Sequence, residues 1–340
     1  MIKVIAAILL VSLQSICFAQ TDIKATLDTV IQRAKQTSMY TARVNWDSLQ
    51  QQVHRKAENA RTIQDLAPAF TVLLNGLMDK HAKIVDAKNY STLAYFTDYA
   101  KLNHPDKRPR DNKIWEQVND TALHFDYKKL PNNIGYLKIV GIAPNVDIEV
   151  ESKKIRNAVL QLAAAKVDKW IIDLHYNGGG NMHPMMTGIG TLVGDGKVGS
   201  LANLAGEKLF DWEIKSGNFI YDGVQPVTLA NKPVFKKQPK IAVLTSMYTV
   251  SSGEVVAACL KGRPLTRFFG EATGCYTTNN NWEIINNQVI LNISTGIFCD
   301  RNGNIYEYNI PVDETIPFEV IKDTGKDTGI IAATKWLLKK

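Results

Sequence analysis

The chain has too little of several things to belong to the classes that depend on them. Four cysteines among 340 residues cannot staple a small disulfide scaffold, and their spacings do not follow the paired pattern of a zinc site. Twelve prolines and 22 glycines show neither a three-residue period nor a low-complexity tract, which excludes a collagen-like or disordered chain. The net charge of +7 comes from scattered Lys and Arg residues without a dense run or interleaved aromatics, so no nucleic-acid surface is expected. Past the N-terminal segment no stretch approaches about 18 uninterrupted apolar residues, so no stable membrane insertion is expected of the mature chain.

What is present suits a globular protein: hydrophobic residues make up 45% of the sequence, enough for a sizeable core divided between two packed units. At the N-terminus, Lys3 precedes the apolar run from Val4 to Leu13, and Cys17-Phe18-Ala19-Gln20 follows with small residues, the three parts of a secretory signal. Cleavage after Ala19 is expected, placing the mature chain in the periplasm or outside the cell. Ile16 is too bulky for a lipidation signal at Cys17. Of the cysteines that remain, Cys259 sits in an apolar helical pattern and reads as a buried thiol, whereas Cys275 and Cys299 flank a hairpin-like stretch across which they can pair.

Residues 20–85 read as a helical domain, with Ile23, Leu27, Val30, Ile31 and Ala34 on one stripe and Leu66, Phe70, Leu73 and Leu77 on another. Pro68 suits the first turn of the second pattern, with Asp65 as its cap. Residues 86–133 are polar, aromatic and interrupted by proline, and read as an irregular covering segment. From residue 134 to 340 the pattern is α/β, with strands at Gly135 to Val140, Trp170 to Leu174, Ile241 to Thr245 and Thr266 to Phe269. Helices from Ser152 to Ala165 and from near Ser251 alternate with them, which implies parallel strands covered by helices. Asn286-Asn287 marks a hairpin turn.

Two strand ends carry chemistry. Asp173-Leu174-His175-Tyr176-Asn177-Gly178-Gly179-Gly180 puts a glycine run directly after a buried strand, where backbone N–H groups can approach a developing oxyanion or a phosphate. No Gly-Lys-Ser/Thr follows, which removes the P-loop reading. A tight turn with no ligand is the plain alternative. Thr245 to Glu254 joins another strand to a helix through Ser251 and Ser252; taken alone, either is more often an N-cap than a nucleophile at a helix N-terminus.

Together these segments resemble the tail-specific, or C-terminal processing, serine peptidases. In that family Asp-Leu-Arg-x-Asn-Gly-Gly-Gly precedes a strand, a loop and a helix with the nucleophile three residues before an acidic residue, as Ser251 stands before Glu254. Gly270-Glu271-Ala272-Thr273 is similar to a third motif. The resemblance implies a crotonase-like α/β core with a small N-terminal helical domain, and secreted serine endopeptidase activity on protein or peptide substrates through an acyl-enzyme, with no cofactor or metal. One branch of the family uses a lysine where Tyr276 stands; the tricorn-like branch uses a histidine in Leu-x-Asp-x-His, matched by Leu77-Met78-Asp79-Lys80-His81. By that match Ser251 is the nucleophile and His81 its base, with Glu307 acting on the histidine through a polar side chain; the flanking Lys80 and Ala82 lack the hydroxyl the family places beside it. Gly178, Gly179 and Ser252 would supply the oxyanion N–H groups. His175, where the family has arginine, and His183 are the rival bases. Residues 82–134 are too few for the peptide-binding PDZ domain that many relatives insert there. Two other readings remain open, a non-catalytic ligand- or peptide-binding protein on the same fold and an acyl-CoA enzyme, which the signal segment disfavours.

Overall fold

The structure, a computed structural model, describes residues 23–99, 124–233, 235–319 and 325–339. The expected signal segment and much of the covering segment lie outside the described residues. The chain divides into two compact units, one of residues 1–103 and 278–296, the other of residues 104–277 and 297–340.

In chain order, the first unit opens with helices α1 (23–37), α2 (Trp46–Lys56) and α3 (Ala67–Leu77) and strands β1 (Lys83–Asp86) and β2 (Thr92–Tyr95). The second unit follows with β3 (Asp126–Leu130), β4 (Ile134–Lys138), α4 (Ile148–Ala164), β5 (Lys169–Asp173) and α5 (Met182–Val193). It continues through β6 (Gly196–Ala202), β7 (Lys208–Lys215), β8 (Asn218–Tyr221), β9 (Lys240–Thr245), α6 (Ser252–Leu260) and β10 (Thr266–Gly270). A hairpin of β11 (Thr278–Ile285) and β12 (Val289–Asp300) comes next, then β13 (Glu314–Thr315) and α7 (Thr328–Leu338).

The first unit is less purely helical than its sequence stripes imply. Residues 289–292 of β12 pair antiparallel with β1, which pairs with β2, and β11 closes the hairpin through Asn286 and Asn287, both at the positive φ that a tight primed turn needs. The hairpin buries Ile285, Val289, Leu291 and Ile293 against Leu27, Val30, Phe70 and Leu73, one apolar core made from segments some 200 residues apart in sequence. This places residues 278–296 with the N-terminal helices rather than inside a core running unbroken from 134 to 340. Asp65 also differs from expectation: its carboxylate accepts the Arg61 and Thr62 N–H groups in the preceding turn, and α3 starts with Pro68 in its first turn and no side-chain cap.

In the second unit, β10, β9, β5 and β4 run parallel, flanked by antiparallel β3 and by β13. Helices α4, α5 and α6 bury Ile155, Val159, Ile189, Val256 and Leu260 with Ile172 and Val243, while α7 packs Ile330, Ala333 and Leu337 with Ile171 and Leu244. Asp147 and Asp327 cap α4 and α7 through the Val150 and Ile330 N–H groups. Because β5 and β9 are adjacent and parallel, with Asp173 opposite Leu244, the glycine loop and the Ser251 loop leave the same end of the sheet side by side. Carboxyl ends of neighbouring parallel strands are where open α/β sheets build ligand sites.

Candidate active site

Ser251 stands at the junction of the β9 loop and α6 with φ 52° and ψ −118°, a conformation that an L-residue other than glycine adopts only at a cost of about 1–3 kcal/mol. Such a turn lifts a side chain off the end of a strand at the head of a helix, the backbone logic of a nucleophile elbow. Glu254 holds the strain in place. Fully buried, its carboxylate accepts the N–H of Ser251 at 2.9 Å, of Cys275 at 3.1 Å and of Tyr276 at 2.9 Å, together with the Thr273 hydroxyl at 2.5 Å. One side chain thus fixes both the elbow and the loop after β10, a task for which a charged acceptor is suited. The motif spacing marks Glu254, but its partners twenty residues downstream carry no local signal.

The glycine loop is laced to the elbow. Buried Asn177 accepts the Val250 N–H on its carbonyl at 2.9 Å and the Gly179 N–H on its side-chain oxygen at 3.1 Å. Thr249 donates its hydroxyl to Leu174 O at 2.7 Å, and Ser246 donates to His175 O at 2.6 Å. Gly179 has φ 88°, and a Cβ placed there would stand 2.7 Å from Ser251 Cβ, so neither its conformation nor its surroundings admits a side chain.

Of the expected oxyanion donors, Gly178 N–H is bonded to Tyr176 O at 3.0 Å and Gly179 N–H to Asn177 Oδ1. Gly253, Glu254 and Val255 bond to carbonyls of Val250 and Ser251, which leaves Ser252 N–H as the first-turn amide of α6 without a protein acceptor among the described residues. The Ser252 hydroxyl itself donates to Gly180 O at 2.5 Å. Ser252 therefore stitches the two loops, and Ser251 carries the elbow geometry.

His81 belongs to the other unit, in the turn between α3 and β1. Its Nδ1 lies 2.9 Å from Thr278 Oγ1, whose oxygen lies 2.9 Å from Ser294 Oγ; Ser294 donates to Asp79 Oδ1 at 2.8 Å. Asp79 also accepts the Ser294 N–H at 2.9 Å and the His81 N–H at 3.1 Å. Burial pushes the imidazole down to about 3, with the Lys83 ammonium adding to the shift. The ring is therefore neutral at physiological pH. The hydroxyl missing beside His81 in sequence is thus supplied across the sheet by Thr278, which local reading does not find.

The rival histidines are differently placed. His175 is buried behind the glycine loop with Nδ1 3.1 Å from Asp173 Oδ1, and Tyr136 donates to the other Asp173 oxygen at 2.5 Å. Burial lowers the His175 pKa, but the Asp173 carboxylate, helped by Asp327 and Glu271, outweighs it, so the net shift is upward. The Asp173 carboxylate thus occupies the Nδ1 side of the ring. His183, at the start of α5, has its ring centroid 5.9 Å from those of both Phe219 and Tyr221, and a buried Nδ1 without a partner among the described residues. Glu307 lies half-buried in the bend that follows the Cys299–Ile305 bridge. Cys259, Cys275 and Cys299 are all free thiols, so the pairing of Cys275 with Cys299 does not occur; Cys275 Sγ turns to Thr273 O, while Cys299 is buried in β12.

A strained serine at a helix head, backed by a buried carboxylate and faced by a glycine loop, puts the chain in the class of α/β proteins whose candidate site lies where adjacent parallel strands end. Within that class, residues 133–317 match the model of peptidase family S41, and this chain belongs to that family. The chain is 32% identical to a nisin-resistance protein of Lactococcus lactis subsp. lactis over 43% of its own length and 45% of the relative's, so the match spans under half of that protein. Its fold is similar to that of a lipoprotein from Streptococcus agalactiae, with a TM-score of 0.68 at 20% identity over 93% of this chain and 96% of the other. It is also similar to a photosystem II D1 C-terminal processing protease, with a TM-score of 0.55 at 13% identity over 86% and 92% of the two chains. No helix among the described residues is long and apolar enough to cross a membrane.

Proposed function

We propose that this chain is a secreted or periplasmic serine endopeptidase in which Ser251 attacks the peptide carbonyl and His81 is the general base. Ser251 Oγ forms the bond to carbon as its proton passes to His81 Nε2; the C–N bond then breaks, and the same proton leaves with the amine. Water, deprotonated by His81, releases the acyl group and restores the serine. Ser252 N–H is the first oxyanion donor, and Gly178 or Gly179 the second once its internal bond is exchanged for the oxyanion. Glu307 acts as a further acidic group biasing the histidine. The observation that carries this reading is the strained φ and ψ of Ser251, because a serine serving only as a helix cap needs no such conformation.

A second reading, a peptide-binding protein without turnover, is favoured by the internal bonding of the Gly178 and Gly179 amides. Incubating the mature chain with a defined peptide mixture and reading new termini by mass spectrometry separates the two. Nisin, named in the description of the Lactococcus relative, is included. New termini with the wild type and none with Ser251→Ala support the peptidase; retention of intact peptides on the protein without cleavage supports the binder.

A further inference from the structure

Hydroxyl and imidazole groups link His81 to Asp79 through Thr278 and Ser294. A hydroxyl has one hydrogen, so each serine or threonine in a chain of hydrogen bonds donates in one direction and accepts from the other. Burial raises the Asp79 pKa above the ordinary carboxylate value, while the donors it receives, among them the Ser294 N–H, the His81 N–H and the Ser294 hydroxyl, favour its ionised form and set the order in which the hydroxyls point. The competing acceptor for the Ser294 hydrogen, Asn280 Oδ1, is farther away, at 3.3 Å against 2.8 Å for Asp79. With its hydrogen committed to Asp79, Ser294 Oγ accepts from Thr278; with that hydrogen committed, Thr278 Oγ1 accepts from His81 Nδ1. The last link can be satisfied only by an imidazole that carries its proton on Nδ1.

We infer that Asp79, Ser294 and Thr278 form a one-way hydrogen-bond chain that fixes the Nδ1–H tautomer of His81 and so keeps its Nε2 lone pair open to accept a proton. These three are positioning residues, and they deepen the peptidase reading. The backbone around the histidine is also held: Asn280 donates to His81 O at 3.2 Å, and the Asp79 carboxylate grips the His81 N–H. Ring orientation and tautomer are thus set by one buried cluster. Asp79 stands two residues before the base, Thr278 is 197 residues from His81, and Ser294 is 215 residues from Asp79. In a serine hydrolase a carboxylate usually does this work on Nδ1 directly; here two hydroxyls carry its influence. The reversed order would follow from a protonated Asp79 and would leave the hydrogen on Nε2, where it blocks proton uptake.

The test reads the tautomer and needs no substrate. In protein labelled with ¹⁵N-histidine at neutral pH, the His81 ring resonances are assigned by their loss in His81→Gln, and Nδ1 is expected to carry the proton. Ser294→Ala removes no atom in contact with the imidazole, yet it frees the Thr278 hydroxyl to donate to Nδ1. The expected result is a shift of the His81 signal toward the Nε2–H form and a fall of about tenfold or more in labelling of Ser251 by a fluorophosphonate. Thr278→Val should disturb the tautomer as well, and Thr278→Ser should restore the Nδ1–H signal; melting curves identify any variant that has lost its fold. A wild-type His81 protonated on Nε2, or an unchanged tautomer in folded Ser294→Ala, overturns the inference. A wild type that shows the expected tautomers but resists every fluorophosphonate upholds the chain while removing the peptidase reading, so the two failures are distinguishable.

Discussion

Ser251 occupies its left-handed conformation because Glu254 and the head of α6 hold it there, and that strain has a measurable counterpart. Ser251→Ala removes the hydroxyl proposed as nucleophile and keeps the strain, whereas Ser251→Gly removes both. The glycine variant is expected to melt above the alanine variant, by an amount corresponding to about 1 kcal/mol, and both are expected to be inactive. Equal melting points would mean that the turn stores no strain. His81 offers a second test at this scale. With its pKa pushed well below that of an ordinary histidine, its basic form is fully populated at neutral pH and is lost only on strong acidification. The pH profile of kcat/KM is therefore expected to be flat across pH 6–8, with its acid limb well below the usual histidine value of about 6.5. A limb centred on 6.5 contradicts the lowered pKa of this half-buried ring, and a rate still climbing near pH 10 points to a lysine such as Lys80.

At the scale of elements, the two loops behave as one piece held by Glu254 and Asn177. Glu254→Gln keeps the volume but replaces one acceptor oxygen with an N–H₂ group facing donors, leaving buried N–H groups unmatched. Unpaired buried donors cost about 1–3 kcal/mol each, so the variant is expected to melt markedly lower and to lose labelling of Ser251 even below its melting point. A variant with wild-type melting and labelling would show that the carboxylate is not needed to hold the turn. The strand and helix patterns and the glycine run were legible in the sequence because each depends on neighbours a few residues apart. Thr278 and Ser294 were not, since their significance lies in a sheet that brings β12 to β1 across some 200 residues. The Cys275–Cys299 pairing failed for a similar reason: a hairpin-like interval in sequence does not specify where the two Cβ atoms point.

The whole molecule has an interrupted construction, in which residues 278–296 complete the unit that begins at the N-terminus. Cutting the chain at the sequence boundary between helical and α/β patterns would strand the hairpin and expose Ile285, Leu291 and Ile293. A fragment of residues 104–340 is therefore expected to be insoluble or to melt without cooperativity, while the full chain folds. A soluble, cooperatively melting fragment would show that the hairpin does not depend on the N-terminal helices. The most direct measurement of the central claim is to treat the folded protein with a fluorophosphonate at neutral pH and map the adduct by tandem mass spectrometry. A single adduct on Ser251, abolished in folded His81→Ala and retained in His175→Ala and His183→Ala, is the predicted result; an adduct on Ser252, or labelling of Ser251 that survives in His81→Ala and disappears in folded His175→Ala, would contradict it.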